Sequence, residues 1–348
     1  KLYSKFMFIL VKKKYNKIFL YWLISLILLL ILMIVIGGLT RLTDSGLSIT
    51  KWDLFKGILW PKDINEWQYF FSLYKEIPQF KFINPNMTLY EFKIIYFWEW
   101  FHRILGRVIG LFFLIPFIFF FYKKAFSTEY SIKFFFIFLL IMFQGLVGWY
   151  MVQSGLINDV TVSHYRLALH LFIAFIILSS LVWILFNYYY ALNKKFFTMN
   201  KDNLLLKLLI LLIFSQIIFG AFVSGLDAGK IYQTWPLMND SYFPNDIIIK
   251  TIYDLFNFDQ RSLVQFFHRN IAYFICFIII FLGFEIYKKK LKNLYKAYSY
   301  LLIFVLFQMT LGILTLITNL NIYVASLHQI SSIFLTIASL NLYHHSIN

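Results

Sequence analysis

The sequence is poor in charged residues and has a single cysteine. Charged side chains make up 14% of its 348 residues and hydrophobic ones 61%, whereas about a quarter of a soluble chain is charged. These proportions exclude an ordinary cytosolic domain and a disordered chain. The lone Cys276 lies in an apolar run, so an internal disulfide and a thiolate metal cluster are excluded. Any metal chemistry must therefore depend on histidine.

Apolar runs long enough to cross a bilayer, about 20 residues each, occur in eight places. We place the spans at 18–39, 93–121, 132–153, 163–188, 204–225, 262–286, 297–318 and 322–343. No small-residue cleavage site follows the first run, which we interpret as a retained span. The sequence predicts an all-α integral membrane protein with eight transmembrane helices.

Basic residues are concentrated on one side of these spans. Lysines precede the first span and follow the even-numbered ones: Lys12, Lys13, Lys14, Lys17, Lys123, Lys124, Lys194, Lys195, Lys201, Lys288, Lys289, Lys290 and Lys292. Positive charge marks the cytoplasmic or matrix side of a membrane, so both termini should lie there. The outer loops, 40–92 and 226–261, contain acidic residues: Asp44, Asp53, Glu66, Glu76, Asp227, Asp240 and Asp259. Topology thus explains the net charge of +16 without a nucleic-acid partner.

The first four spans resemble the last four. Segment 37–46 aligns with 220–229, keeping one Asp and two Gly in register. Further matches follow in the same order: His102-Arg103 with His268-Arg269, Phe143-Gln144 with Phe307-Gln308, and Gly148 with Gly312. Four spans return the chain to its starting side, so both halves should have the same topology. We expect two tandem, pseudo-two-fold related four-helix bundles, residues 1–195 and 196–348.

Four of the seven histidines lie inside even-numbered spans, whereas His164, His344 and His345 lie near span ends. At 1.5 Å per residue, His102, His170, His268 and His328 are all about 9–14 Å below the outer surface. Such side chains are costly in hydrocarbon unless they have a partner. Hydrogen bonding to neighbouring groups is one explanation. Two opposed imidazoles in each four-helix bundle can instead ligate a haem iron, which the duplication favours. Zinc is disfavoured because no cysteine or carboxylate cluster completes a tetrahedral set.

The two predicted sites differ in one neighbour. Glu99 lies three residues before His102, on the same helix face, and Gln265 holds the corresponding position before His268. A carboxylate beside one metal and an amide beside the other favour proton-coupled chemistry in the first half and a held cofactor in the second. The alternative for Glu99 is an ion pair with Arg103 at i+4. Arg103, Arg107, Arg166 and Arg269 could equally pair with propionates, pair within the bundle or snorkel.

These motifs resemble the haem A synthase family, in its mitochondrial and alphaproteobacterial form. The resemblance is carried by segment 37–52 (GGLTRLTDSGLSITKW), by Glu99-x-x-His102-Arg103 with Gly106-Arg107, by segment 165–171 (YRLALHL), and by segments 225–229 (GLDAG) and 234–239 (TWPLMN). It covers nearly the whole chain. In two places the chain departs from the family pattern: His164 stands where Pro is usual, and Phe267 replaces a polar residue.

The resemblance implies oxidation of the C8 methyl group of haem O to a formyl group, giving haem A for cytochrome c oxidase. It implies His102 and His170 as ligands of the substrate haem, with Glu99 handling protons, and His268 and His328 as ligands of a haem b cofactor. Haem O synthase and cytochrome oxidase assembly factors are the implied protein partners, in a bacterial or mitochondrial inner membrane. The oligomeric state is open, and a homo-oligomer is one option.

Two other functions are consistent with the same pattern. A dihaem cytochrome b that passes electrons from quinol would use the same four histidines without needing Glu99. An eight-span transporter with parallel repeats would use them as proton relays and bind no haem.

Overall fold

The computed structural model describes residues 10–51, 59–157, 159–197 and 203–347. Trp52, Asp53 and Lys201, which the sequence analysis names, lie outside these ranges. Within these ranges, eight helices are long and apolar enough to cross a membrane: α1 (Asn16–Leu42), α4 (Leu89–Tyr122), α5 (Thr128–Ile157), α6 (His164–Tyr189), α7 (Leu204–Gly225), α8 (Arg261–Lys288), α9 (Lys292–Ile317) and α10 (Ile322–Ser346). The prediction of an eight-span, all-helical membrane protein is confirmed.

Several helices extend beyond the predicted hydrocarbon segment. Helix α4 begins at Leu89 rather than at residue 93 because Thr88 and Glu91 form a capping box. The Glu91 N–H donates to the Thr88 hydroxyl, and the Thr88 N–H donates to the Glu91 carboxylate. Capping satisfies N–H groups that the first turn leaves free, and it allows the helix to start in water.

Helix contacts form a closed ring within each half of the chain. In the first half α1 contacts α4 and α6, and α5 contacts both of these; in the second half α8 contacts α7 and α9, and α10 contacts both of those. The halves meet where α6 packs on α7 and α1 packs on α10. These contacts support the tandem-bundle arrangement with its pseudo-two-fold relation, which stays a prediction.

The long loop between α1 and α4 carries two short helices that the sequence analysis did not identify, α2 (Ile64–Lys75) and α3 (Pro78–Phe82). They bury aromatic residues against the start of α4, including Tyr74 beside Phe92. The Tyr74 hydroxyl donates to Gln79 Oε1 at 3.0 Å, and Gln79 Nε2 donates to the carbonyl of Asp44 at 3.1 Å. Burial raises the pKa of Tyr74, so this hydroxyl stays a donor. The loop is therefore packed against the end of the first bundle.

At the other end of the bundles, the segment after α6 holds the carboxy-terminal end of α10. Lys194 Nζ donates to the carbonyl of His344 at 2.8 Å, and His344 Nε2 lies 3.0 Å from Asn187 Oδ1. Burial lowers the pKa of Lys194. A lysine at these last carbonyls satisfies groups that the helix end leaves free. The contacts of His344 therefore anchor a helix end, far from the four intramembrane histidines.

Candidate metal centres

The four intramembrane histidines form two pairs, one in each half. The ring centroids of His102 on α4 and His170 on α6 are 6.4 Å apart. Those of His268 on α8 and His328 on α10 are also 6.4 Å apart. The structure therefore brings together the same pairs that the sequence predicts, at the same separation in both halves.

This separation fits one metal ion between two imidazoles. An imidazole nitrogen binds a first-row metal at about 2.0–2.1 Å, and a ring atom lies about 1.1–1.2 Å from the centroid of a five-membered ring with bonds near 1.35 Å. Two such ligands on opposite sides of one ion place their centroids about 6.4 Å apart. In the described ranges no three His, Cys, Asp or Glu side chains cluster. Two axial ligands per site suit a haem iron, because the porphyrin supplies the other four.

A glycine on the preceding transmembrane helix lies against each of the four imidazoles. A Cβ atom built on Gly37, Gly148 or Gly312 would lie 3.0 Å from Cε1 of His102, His170 or His328, respectively. For Gly220 and His268 the distance is 3.2 Å. These distances are shorter than ordinary van der Waals contact. Each glycine thus makes room for the Nδ1–Cε1 edge of one ring.

The Nδ1 atoms face helix backbone. His328 Nδ1 lies 3.1 Å from the carbonyl oxygen of Gln308, the kind of partner that orients metal-ligating histidines. Within the described parts of the chain, the buried Nδ1 atoms of His102, His170 and His268 have no hydrogen-bond partner. This arrangement favours Nε2 as the nitrogen that each ring offers to a metal. At His268 this atom also lies 3.3 Å from the Gln216 amide nitrogen, a contact that metal binding would replace while the amide keeps its bond to the His268 carbonyl. We conclude that the residues present fit a bis-histidine haem.

A repeated sequence signal marks three of these four glycines, and the matches between the two halves given above include two of the three. Gln144 and Gln308 precede Gly148 and Gly312 by four residues, and Gln216 precedes Gly220 by the same spacing. The Gln144 and Gln216 amides donate to the carbonyls of His170 and His268, each at 3.0 Å. Gln-x-x-x-Gly on α5, α7 and α9 therefore faces the histidine of the following helix.

Glu99 is buried, with an exposure of 3%, and both of its oxygens have partners. Oε1 pairs with Arg103 at 2.6 Å, so the ion pair that the sequence analysis weighs as an alternative is present. Oε2 accepts from the Ser48 hydroxyl at 2.7 Å and from the Ile49 N–H at 2.8 Å. Arg103 in turn donates to the Ile49 carbonyl at 3.0 Å. Glu99 and Arg103 together therefore bind the N–H and the carbonyl of Ile49 and hold the outer loop at this residue.

The second half fastens its outer loop at the corresponding position without a carboxylate. Gln265 Nε2 and Arg269 Nη2 both donate to the carbonyl of Tyr232, at 2.8 and 2.9 Å. Tyr232 lies three residues after Gly229, as Ile49 lies three after Gly46. The two clamps are equivalent in position, but the acidic side chain on the helix is present only in the first. In the second, the loop residue Asp246 accepts from the Tyr232 hydroxyl at 2.6 Å.

The other arginines of the sequence analysis also have protein partners. Arg166 lies over the Tyr150 ring, with Cζ 3.7 Å from its centroid, and Nη1 donates to the Tyr150 carbonyl at 2.8 Å. Arg107 Nη1 donates to the carbonyl of Arg103 at 3.1 Å. Stacking and hydrogen bonds within the protein thus satisfy part of each guanidinium.

His164, which the sequence analysis places at a helix mouth, belongs to neither pair. Its ring packs at 5.4 Å from that of Phe222 on α7, and its Nε2 lies 3.5 Å from Asp259 Oδ1. Its Cβ would come within 2.7 Å of a Cβ on Gly225. His164 is thus a contact between the halves.

Arg41 makes a second, ionic contact between the halves. Its Nη1 pairs with Asp44 at 2.6 Å and its Nη2 with Asp227 at 3.1 Å. These two aspartates occupy aligned positions of the duplicated segment, and both have left-handed backbone, with φ of 50° and 53°. One guanidinium therefore joins the equivalent turns that follow α1 and α7.

Within the described residues, eight helices long and apolar enough to cross a membrane and two half-buried imidazole pairs define a multi-pass membrane protein with two candidate bis-histidine centres. The profile of the COX15-CtaA family, cytochrome oxidase assembly protein, matches residues 20–340, and the chain belongs to this family. It is 48% identical over 326 residues to a heme A synthase of Pelagibacter ubique, covering 92% of this chain and 93% of the relative. Heme A synthases of Flavobacterium psychrophilum and Rickettsia bellii are 42% and 41% identical, each over at least 90% of both chains. The family resemblance is confirmed.

Proposed function

We propose that this protein oxidises the C8 methyl group of haem O to the formyl group of haem A, as an oxidoreductase in the assembly of cytochrome oxidase. The observation that carries the proposal is the pair of equally spaced imidazole couples, each 6.4 Å between centroids, in a chain whose relatives are heme A synthases. Membership of this family does not favour either alternative, a transporter or a dihaem cytochrome b that only passes electrons from quinol.

The two halves, residues 1–195 and 196–348, take different haems in this proposal. His102 and His170 hold the substrate haem O, because Glu99 lies beside this pair. His268 and His328 hold a haem b cofactor, because the corresponding Gln265 carries no charge and has no proton to exchange at neutral pH. The duplicated arrangement of the histidines supports the same coordination in both halves. The difference between Glu99 in one half and Gln265 in the other supports different chemistry.

When bound, haem iron supplies the redox chemistry that the side chains lack. The chain contributes position, proton handling and exclusion of water. Oxidation of a methyl group removes protons together with electrons, so a base near the substrate is required. Glu99 supplies it at Oε1 or Oε2, and Arg103 and Ser48 hold the carboxylate in one place. The described parts of the loop fastened by this pair pack against the start of α4, at the outer end of the first bundle.

The location and partners follow the same proposal. The protein lies in a bacterial or mitochondrial inner membrane with both termini on the basic, cytoplasmic or matrix side. A haem O synthase delivers the substrate, and oxidase assembly factors receive haem A. The bilayer surrounds the eight spans, and assembly as a homo-oligomer is compatible with this arrangement.

The test is Glu99→Gln, which installs the side chain that the second half already uses. Alanine is less informative, because it removes the hydrogen bonds to Arg103, Ser48 and Ile49 together with the charge, whereas glutamine keeps an amide oxygen that can still accept a hydrogen bond. We expect Glu99→Gln to retain bound haem and to lose conversion of haem O, measured by mass analysis of haems extracted after co-expression with a haem O synthase.

Ser48→Ala is the matched control, because it removes one hydrogen bond to Glu99 Oε2 and keeps the carboxylate. It should still produce haem A. Wild-type levels of haem A from Glu99→Gln would refute the role of Glu99. A purified protein that cannot bind haem at all would refute the proposed function.

A further inference from the structure

Two consecutive glycines on α1 face different halves of the protein. Gly37 faces His102 of its own half, with Cε1 at 3.0 Å from a Cβ built on the glycine. Gly38 faces Gln329 on α10, and a Cβ built there would lie 1.6 Å from Oε1 and 2.2 Å from Cδ of that side chain. The overlap involves the whole amide group, so only glycine at residue 38 admits Gln329 in this position.

The Gln329 amide also forms a hydrogen bond to the backbone of α1. Its Nε2 donates to the carbonyl oxygen of Ile34 at 2.7 Å. Ile34 lies four residues before Gly38, so this carbonyl also takes part in the hydrogen bonding of α1 itself. Gln329 therefore enters the groove above a glycine and bonds to the backbone of a helix from the other half.

The position of Gln329 connects this contact to a metal centre. Gln329 directly follows His328, whose ring faces the second site. A short path of residues thus runs from His102 through Gly37 and Gly38 to Gln329 and His328.

The equivalent contact at the other interface between the halves is apolar. Leu171 follows His170 as Gln329 follows His328, and Ala221 follows Gly220 as Gly38 follows Gly37. Ala221 is buried, and Leu171 packs against the same cluster between α6 and α7. General packing of the halves does not require a glutamine in a glycine groove, because at the other interface the equivalent residues, Leu171 and Ala221, belong to an apolar cluster.

We propose that Gly38 and Gln329 form a positioning contact through which α1 of the first half sets the position of His328 in the second. This inference rests on the proposed ligation of haem b by His268 and His328. Gln329 is not one of the proposed ligands; it acts through the backbone of α10, on which His328 lies.

The experiment uses the full-length protein in a His102→Ala background, so that the haem held by His268 and His328 dominates the signal. The reduction potential and spin state of that haem are measured by redox titration followed by optical and electron paramagnetic resonance spectroscopy. Gly38→Ala should shift both, although residue 38 belongs to the other half. Gly37→Ala is the matched control and should be silent, because the imidazole that Gly37 faces is absent from this background.

A second variant distinguishes a positioning role from a packing role. It also keeps the proposal testable if the Gly38→Ala protein fails to fold. Gln329→Leu installs the residue found at the equivalent position 171 and removes the hydrogen bond to Ile34. The double variant with Gly38→Ala reproduces the apolar pair of the other interface. Both should fold and both should show the shifted haem signal.

The outcomes are distinct. A wild-type haem signal in Gln329→Leu or in the double variant would overturn the positioning contact. If the His102→Ala parent itself bound no haem, the cofactor assignment of the proposed function would fail. A parent that retains haem and shows no response to Gly38→Ala would overturn this inference alone.

Discussion

Substitution of Gly148 by alanine tests whether the glycines beside the imidazoles set the geometry of the metal centres. The new Cβ would lie 3.0 Å from His170 Cε1 and 3.5 Å from Nδ1. Carbon atoms in ordinary contact are about 3.5–4.0 Å apart, so the ring must move by about half an ångström or the helices must separate. The His170 nitrogen that faces His102 would then be displaced from the position that suits both ligands.

The same helix provides the control. Gly145 lies three residues earlier on α5, and no described atom lies within 4 Å of a Cβ built there. Alanine inside a helix is more favourable than glycine by about 0.5–1 kcal/mol, so both variants gain the same propensity. Only Gly148→Ala should disturb His170. Because residues that orient metal ligands typically contribute about 10–100-fold to affinity or activity, we expect a loss of haem O affinity in that range.

The assay is titration of each purified variant with haem O, followed by the absorbance of the six-coordinate iron and by haem A yield. Gly148→Ala should bind more weakly and show a larger five-coordinate fraction, while Gly145→Ala should match the wild type. Equal affinity and equal spectra for the two variants would refute the argument that a glycine is needed against the imidazole edge.

Two further predictions concern contacts between the halves. Arg41→Leu should lower the thermal unfolding temperature, because it removes a guanidinium that pairs with aspartates of both halves. Lys230→Ala is the control: it removes an exposed lysine from one of these aspartates and should change the free energy of unfolding by less than about 0.5 kcal/mol. Equal effects of the two variants in thermal scans would contradict this prediction. His164→Ala should retain the full wild-type haem content, measured by pyridine haemochrome absorbance, because its ring faces Phe222 and Asp259 rather than a histidine pair, and loss of one haem equivalent would show that His164 is a ligand.

The eight spans and the two histidine pairs could be predicted from the sequence because both depend on one-dimensional regularities. Bilayer thickness sets the span length, and helical rise converts residue counts into depth. The Glu99 and Arg103 ion pair was foreseeable for the same reason, since residues four apart share a helix face.

Contacts that depend on how one helix is rotated against another could not be read from the sequence. Gly37 and Gly38 are adjacent letters, yet they face different halves of the protein. Nothing in the sequence of α10 indicates that Gln329 reaches the backbone of α1. The contacts of Glu99 and Arg103 with Ile49 could not be predicted either, because they depend on the path of the outer loop. The repeated Gln-x-x-x-Gly spacing was the one available signal for the glycines.

The two junctions differ at equivalent positions, with Gln329 against Gly38 at one and the apolar residues Leu171 and Ala221 at the other, and this difference bears on why the halves are parts of one chain. Two identical four-helix subunits related by a two-fold axis would present the same patch twice, so any residue placed at one junction would recur at the other. Covalent fusion removes that constraint. Once joined, one junction can remain apolar while its counterpart acquires a polar contact, and the two histidine pairs of the duplicated sequence can specialise independently.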